Sequence, residues 1–177
     1  MNLFETSPMW ALWLLSALLA AAAIQDAVSL RISNVLTGTV LVLAIVAMAV
    51  SGFQLGLWQN LAVFLIVLGV GTLLFSNNIL GGGDVKLLAA LSLWTDFPTA
   101  LRLVVSICIA GGLLALLIIT LRSVVPAKAR EKVKTLQPGA GIPYGIAIGL
   151  GALVVIGMIQ LGARDGTYNS DIKTVRI

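Results

Sequence analysis

Leu57-Trp58-Gln59-Asn60-Leu61-Ala62-Val63-Phe64-Leu65-Ile66-Val67-Leu68-Gly69-Val70-Gly71-Thr72-Leu73-Leu74-Phe75 carries no charge, and only Gln59, Asn60 and Thr72 bring an amide or hydroxyl group. A helix rises about 1.5 Å per residue, so a run of this length nearly covers the ~30 Å hydrocarbon core of a bilayer. Outward from it, comparable apolar runs occupy Met9 to Ile24, Val35 to Val50, Leu101 to Leu121 and Ile142 to Leu161, with a shorter one from Val85 to Trp94. The first of these lacks the basic flank and cleavage site of a removable signal peptide and reads as a retained helix. Of 177 residues, 59% are hydrophobic and 10% charged, and mean hydropathy is +1.08, whereas soluble domains carry about 25% charge. The expected fold is all-α: a polytopic transmembrane bundle of about six helices, with a short helix after the triglycine at 81–83. One integral membrane domain covers 1–177, of which 163–177 form a short polar extracytoplasmic tail.

The same composition removes whole classes of chemistry. The chain has no histidine and one cysteine, Cys108. A Ser-His-Asp triad, a Cys-His dyad, an imidazole-ligated metal and a Cys-x-x-Cys zinc site are therefore excluded, and Cys108, within an apolar run, reads as packing. No metal or cofactor is expected. The net charge of +4 concentrates in one loop instead of tracking a face, which argues against nucleic acid as a partner. Arg31, Lys86, Arg122, Lys128, Arg130, Lys132 and Lys134 fall on one side of the expected topology and Arg102, Arg164, Lys173 and Arg176 on the other. By the positive-inside rule, the loops 25–34, 76–86 and 122–141 are cytoplasmic and both termini extracytoplasmic. The loop Lys128 to Lys134 then acts as a topology determinant beside anionic headgroups.

Seven acidic residues remain to be placed. Glu5, Asp96, Asp165 and Asp171 fall in outer loops or tails, and Glu131 lies amid the basic loop. Asp26 and Asp84 stand apart: one closes the first helix, the other opens the short fourth, and the topology brings both to one face at similar depth. An ionisable group at the edge of hydrocarbon is costly and marks a functional candidate. Each also has a structural alternative, Asp26 as an ion pair with Arg31, and Asp84 as the cap of a helix starting at Val85 with Lys86 as its charge partner. Gly81, Gly82 and Gly83 offer positive-φ backbone and close approach for an extended peptide.

Two carboxylates sharing a partly desolvated site cannot both ionise cheaply, so one keeps a proton while the other activates water, as aspartic proteolysis requires. Helix direction offers an assignment. A helix C-terminus disfavours negative charge at Asp26 and an N-terminus favours it at Asp84, which makes Asp84 the expected base and Asp26 the expected acid.

Gly81-Gly82-Gly83-Asp84-Val85-Lys86-Leu87-Leu88-Ala89-Ala90-Leu91 resembles the second catalytic motif of the type IV prepilin peptidases, membrane aspartic proteases with a Gly-x-Gly-Asp signature. Asp26 with Ile32-Ser33-Asn34 resembles the first motif, in which proline usually stands where this chain has Ser33. Ile142-Pro143-Tyr144-Gly145 resembles the segment opening the last helix, and also reads simply as a proline-initiated membrane helix. The form is similar to the short one found with Tad/Flp-type pili. The resemblance implies catalytic Asp26 and Asp84, with Gly81, Gly82, Gly83 and Lys86 along the substrate approach. It implies a prepilin or pilin-like substrate whose basic leader is removed at the cytoplasmic face of a bacterial inner membrane. The chain lacks the paired Cys-x-x-Cys insert of longer members, so peptidase activity without N-methyltransferase activity is expected.

Trp10, Trp13, Trp58 and Trp94 near span ends read as interfacial anchors. Glycines at 69, 71, 111, 112 and 145–151 read as close-packing positions between helices, with oligomeric state left open. The competing function is a small proton- or cation-coupled transporter or channel component using Asp26 and Asp84. It accounts less well for two acids at one face instead of mid-bilayer.

Overall fold

A computed structural model describes residues 1–52, 54–126, 135, 137 and 141–175, with side chains described as far as Ala163. Glu131, the basic run 128–134 and the side chains of the C-terminal tail therefore lie outside the described residues. Among the described residues the regular structure is helical: α1 (Leu3–Thr6), α2 (Met9–Ser29), α3 (Asn34–Ser51), α4 (Leu57–Ser76), α5 (Gly82–Ser92), α6 (Phe97–Val124) and α7 (Tyr144–Val175). Five helices are long and apolar enough to cross a membrane: α2, α3, α4, α6 and α7 as far as Ala163. The backbone of α7 stays helical through the segment read as a tail.

The helix ends follow local chemistry. Ser33 accepts the Leu36 N–H at 3.3 Å and starts α3. Asp96 accepts the Thr99 N–H at 3.1 Å, and Pro98 sits in the first turn of α6, where a missing N–H costs nothing. Leu30 ends α2 in the left-handed region at φ 53°. A β-carbon makes that conformation costly, so the turn into α3 needs external hold. Ser29 Oγ supplies it by bonding the carbonyls of Gln25 and Arg31.

The short helix α5 has 11 residues, a rise of about 16 Å, roughly half the hydrocarbon thickness. The N-terminal segment completes its column. The Leu3 N–H donates to the Trp94 carbonyl at 3.0 Å. Leu3, Phe4 and Trp94 are fully buried, and the Phe4 and Trp94 rings stack with centroids 6.4 Å apart. Asn60, fully buried on α4, donates from Nδ2 to the carbonyls of Met1 and Leu93, each at 2.9 Å. Gln160 on α7 donates to the Phe4 carbonyl at 2.6 Å. These donors meet backbone carbonyls that would otherwise go unbonded where α5 ends inside the bundle.

Lipid replaces water as the solvent, so apolar side chains gain little by turning inward and packing decides helix association. Leu65, Ile66, Ile109 and Leu113 face outward accordingly. At Gly151, an added Cβ would lie 2.7–2.8 Å from Ile107, and Ser106 Oγ donates to the Gly151 carbonyl at 3.0 Å, locking α6 to α7. Gly69 and Gly112, by contrast, face open space and pack nothing. Two expectations change. Trp94 is buried in the bundle, with its indole N–H donated to the Val40 carbonyl at 3.4 Å, whereas Trp10, Trp13 and Trp58 remain exposed as anchors would. Cys108 faces outward instead of packing inside.

Asn60→Ala leaves the Met1 and Leu93 carbonyls without their donor. The expected cost is about 1–3 kcal/mol per buried unsatisfied group. Thermal unfolding in detergent should register the loss as a lowered midpoint. Thr72→Ala, which deletes an exposed hydroxyl bonded within its own helix, should leave the midpoint in place.

Candidate active site

Asp26 lies in the last turn of α2, 4% exposed. Its Oδ2 accepts the backbone N–H of Gly145 at 2.7 Å. That amide is free to donate because it belongs to the first turn of α7, where no preceding helical carbonyl exists to receive it. Pro143 immediately before α7 fits the same position. A Cβ on residue 145 would stand 2.9 Å from Asp26 Oδ2 and from Ile32 Cδ1, so only glycine permits the approach. Sequence reading treated this segment as a helix start. What it missed is that the start delivers an N–H to the aspartate.

Asp84 occupies the third position of α5, not its cap. The helix begins at Gly82 with Gly81 as the capping residue, and Asp84 reaches back to accept a backbone hydrogen bond from Gly81. The expected positive-φ role of the triglycine is not what the backbone uses: among the described glycines only Gly52 has positive φ. The three are needed for proximity. A Cβ on Gly81 would meet Asp84 Oδ2 at 2.7 Å, one on Gly82 the Phe75 ring at 3.2 Å, and one on Gly83 the Ile32 backbone and Cβ at 3.2–3.3 Å.

Asp84 Oδ1 is buried without a hydrogen-bond partner. Burial, and after it the charge of Asp26, pushes the Asp84 carboxyl up to about 6, against the opposing pull of the Gly81 hydrogen bond. The helix N-terminus that favoured an ionised Asp84 is therefore outweighed by desolvation and by the neighbouring carboxylate.

Ile32 joins the two halves. Its backbone and Cβ lie against Gly83, two residues from the capping Gly81, while its Cδ1 lies against Gly145 beside Asp26. The segment carrying it is tied down on both sides. Gln25 Oε1 accepts the Ser33 N–H at 2.9 Å, and Lys86 Nζ donates to Asn34 Oδ1 at 2.8 Å. The first bond explains how serine serves where the motif usually has proline. Ser33 has φ −71°, a value proline would impose, and it uses an N–H that proline lacks.

The expected partners of the acids are elsewhere. Lys86 bonds Asn34, and among the described residues Arg31 forms no ion pair with Asp26. Arg122 at the end of α6 donates to the Thr135 carbonyl at 2.7 and 3.2 Å, and the Thr135 hydroxyl donates to the Ala27 carbonyl at 3.0 Å, beside Asp26. Among the described residues no group of three His, Cys, Asp or Glu is placed to hold a metal ion. Two carboxylates in electrostatic contact, one near 6, can divide a proton between an acid and a base without one.

If Ile32 sets the spacing of the aspartates, Ile32→Ala should lower kcat about 10²-fold, the scale on which misplaced catalytic groups cost rate, with KM little changed. Ile32→Leu, which keeps a side chain long enough to reach Gly145, should restore more of it than Ile32→Val, which lacks the Cδ1 that touches Gly145. Gly145→Ala should be more severe, since its Cβ strikes Asp26 itself. Steady-state kinetics on membranes normalised for inserted protein make the comparison.

No curated protein and no solved structure matches this chain. The type IV leader peptidase family matches residues 13–116, a span that contains Asp26, Ile32, Asp84 and Lys86 and ends before α7. More than half of the chain lies within that match, and by it the chain belongs to the type IV leader peptidase family.

Proposed function

We propose that this membrane leader peptidase is an aspartic endopeptidase of the short Tad/Flp type, cutting pilin-like substrates at the cytoplasmic face with Asp26 and Asp84. The observation that carries the reading is the convergence of two acids from α2 and α5 on one end of the bundle, close enough for the charge of Asp26 to raise Asp84. The basic residues Arg31, Lys86 and Arg122 lie at that same end, which by the positive-inside rule is cytoplasmic in a bacterial inner membrane.

In this reading Asp84 serves as the acid and Asp26, which accepts the Gly145 N–H, as the base, the reverse of the helix-end expectation. Asp26, oriented by the Gly145 N–H, takes a proton from water as the water oxygen attacks the scissile carbonyl. Asp84 donates its proton to the carbonyl oxygen as that oxygen gains charge. The N–H groups of Gly82 and Gly83, in the first turn of α5 where no preceding helical carbonyl takes them, are the donors this reading assigns to the tetrahedral intermediate. Its collapse returns a proton to the amine of the departing apolar product and releases the leader.

Leader removal, followed by gel shift in membranes holding a prepilin, should fall about 10²–10⁴-fold for Asp26→Asn and for Asp84→Asn, the range set by general acid-base catalysis. Cleavage that survives both changes would reject the mechanism. Because Asp84 must be protonated to donate, kcat/KM should decline as pH rises through about 6. Flat activity across that interval would assign the acid elsewhere. Incubation with S-adenosylmethionine should give no methylated product, in keeping with a chain without the paired-cysteine insert.

A further inference from the structure

Two hydrogen bonds reach the last turn of α2 from the chain that follows α6. The Gly145 N–H donates to Asp26 Oδ2 at 2.7 Å, and the Thr135 hydroxyl donates to the Ala27 carbonyl at 3.0 Å. That carbonyl lacks a helical donor, because residue 31, which would bond it in a longer helix, lies beyond the end of α2, and the Leu30 N–H goes to the Asp26 carbonyl. Arg122, in the last turn of α6, holds the same stretch of chain. Its Nε and Nη2 donate to the Thr135 carbonyl at 3.2 and 2.7 Å, and Nη2 reaches the Gly141 carbonyl at 3.5 Å. We propose that Arg122 is a positioning residue for the peptidase reaction: by fixing Thr135 on α2 and Gly141 ahead of α7, it keeps the Gly145 amide on Asp26. This role rests on the peptidase reading above and adds a residue that acts on Asp26 through the backbone.

Helix packing leaves this task to a side chain. Ile107 lies against Gly151, and a Cβ on Gly111 would stand 3.5 Å from the Ala147 Cβ and 3.9 Å from Tyr144 Cε1, so α6 and α7 run antiparallel and Gly111 is level with the start of α7. From Gly111 to Arg122 the helix rises by about 16 Å. Over that length α7, which begins at Tyr144, offers nothing for α6 to pack on. The tolerance at the aspartate is small. A Cβ on residue 145 would stand 2.9 Å from Asp26 Oδ2, so the amide is already at closest approach. Moving the entry of α7 by about 1 Å would stretch the Gly145 bond past the ~3.2 Å limit of good geometry.

The chemistry asks for arginine and not only for a positive charge. A guanidinium is planar and carries five N–H donors, so Nε and Nη2 on one edge converge on a single carbonyl while the second N–H of Nη2 is directed at another. A lysine ammonium brings the charge without that edge. It would still complement the C-terminal end of the α6 dipole and count in the positive-inside balance. Arg122→Lys therefore isolates the fork from the charge.

The test uses the full chain in membranes with a cleavable prepilin, normalised for inserted protein. Arg122→Lys should lower kcat about tenfold with KM unchanged, since a misplaced carboxylate costs rate and not binding. Thr135→Val should do the same, and Thr135→Ser, which keeps the hydroxyl, should retain the wild-type kcat. Because the two residues act in one chain of contacts, the variant carrying both Arg122→Lys and Thr135→Val should be no slower than the slower single one. Arg102→Lys, in the opening turns of α6 at its other end, should change neither constant. Independently of cleavage, hydrogen–deuterium exchange in detergent should run about tenfold faster at the Gly145 amide of Arg122→Lys than in wild type. Full activity in Arg122→Lys would reduce the role to charge, and a raised KM at constant kcat would reduce it to substrate binding. Losses that multiply in the double variant would make the two residues independent, and unchanged exchange at Gly145 would break the link to Asp26. Each of these overturns the proposal. Wild type that cleaves no pilin of a panel would defeat the peptidase reading, while the exchange comparison still decides whether Arg122 holds Gly145 on Asp26.

Discussion

An 11-residue helix cannot cross a bilayer, and most of this molecule follows from where that shortfall is accommodated. One end of α5 must lie at a membrane face, and there it carries Asp84 among glycines that neighbouring chain segments can touch. The other end stops inside the bundle, where unbonded backbone groups are costly without water. Met1 to Thr6 and Asn60 meet that end with hydrogen bonds and with the Phe4–Trp94 stack. The same shortness leaves α3 and α4 flanking a floor of small side chains instead of a full-length neighbour.

The spans were legible because bilayer thickness imposes a length and a hydropathy that no soluble element shares. The short helix was legible as an anomaly, a brief apolar run after three glycines, and Asp26 and Asp84 stood out because ionisable groups at that depth are rare. What stayed hidden depends on contacts across the fold. Nothing in the run Ile142 to Gly145 says that an N–H at its end will meet Asp26, since the two lie 119 positions apart. Trp94 looked like an interfacial anchor from its place at a span end, and only the return of α1 over it makes it core. The triglycine was read for positive φ and for close approach by a peptide; its backbone is ordinary, and the close approach it permits is to Ile32, Phe75 and Asp84 of the chain itself.

Two electrostatic effects oppose one another at the Asp84 carboxyl. The α5 N-terminus and the Gly81 N–H favour charge on Asp84, while burial and Asp26 disfavour it, and the second pair prevails because Oδ1 has no donor to offset its loss of water. Position along a helix alone cannot resolve such a case.

The bond from Gly145 to Asp26 also sets an order of events in biosynthesis. The residues that resemble the family motifs most closely are translated first, but the amide that orients Asp26 arrives only with α7, 119 positions after it. Until then Asp26 faces a half-built bundle without its donor, and Ile32 has only Gly83 to rest against. Asp26 therefore gains the hydrogen bond that orients it only after α7 has packed against α2.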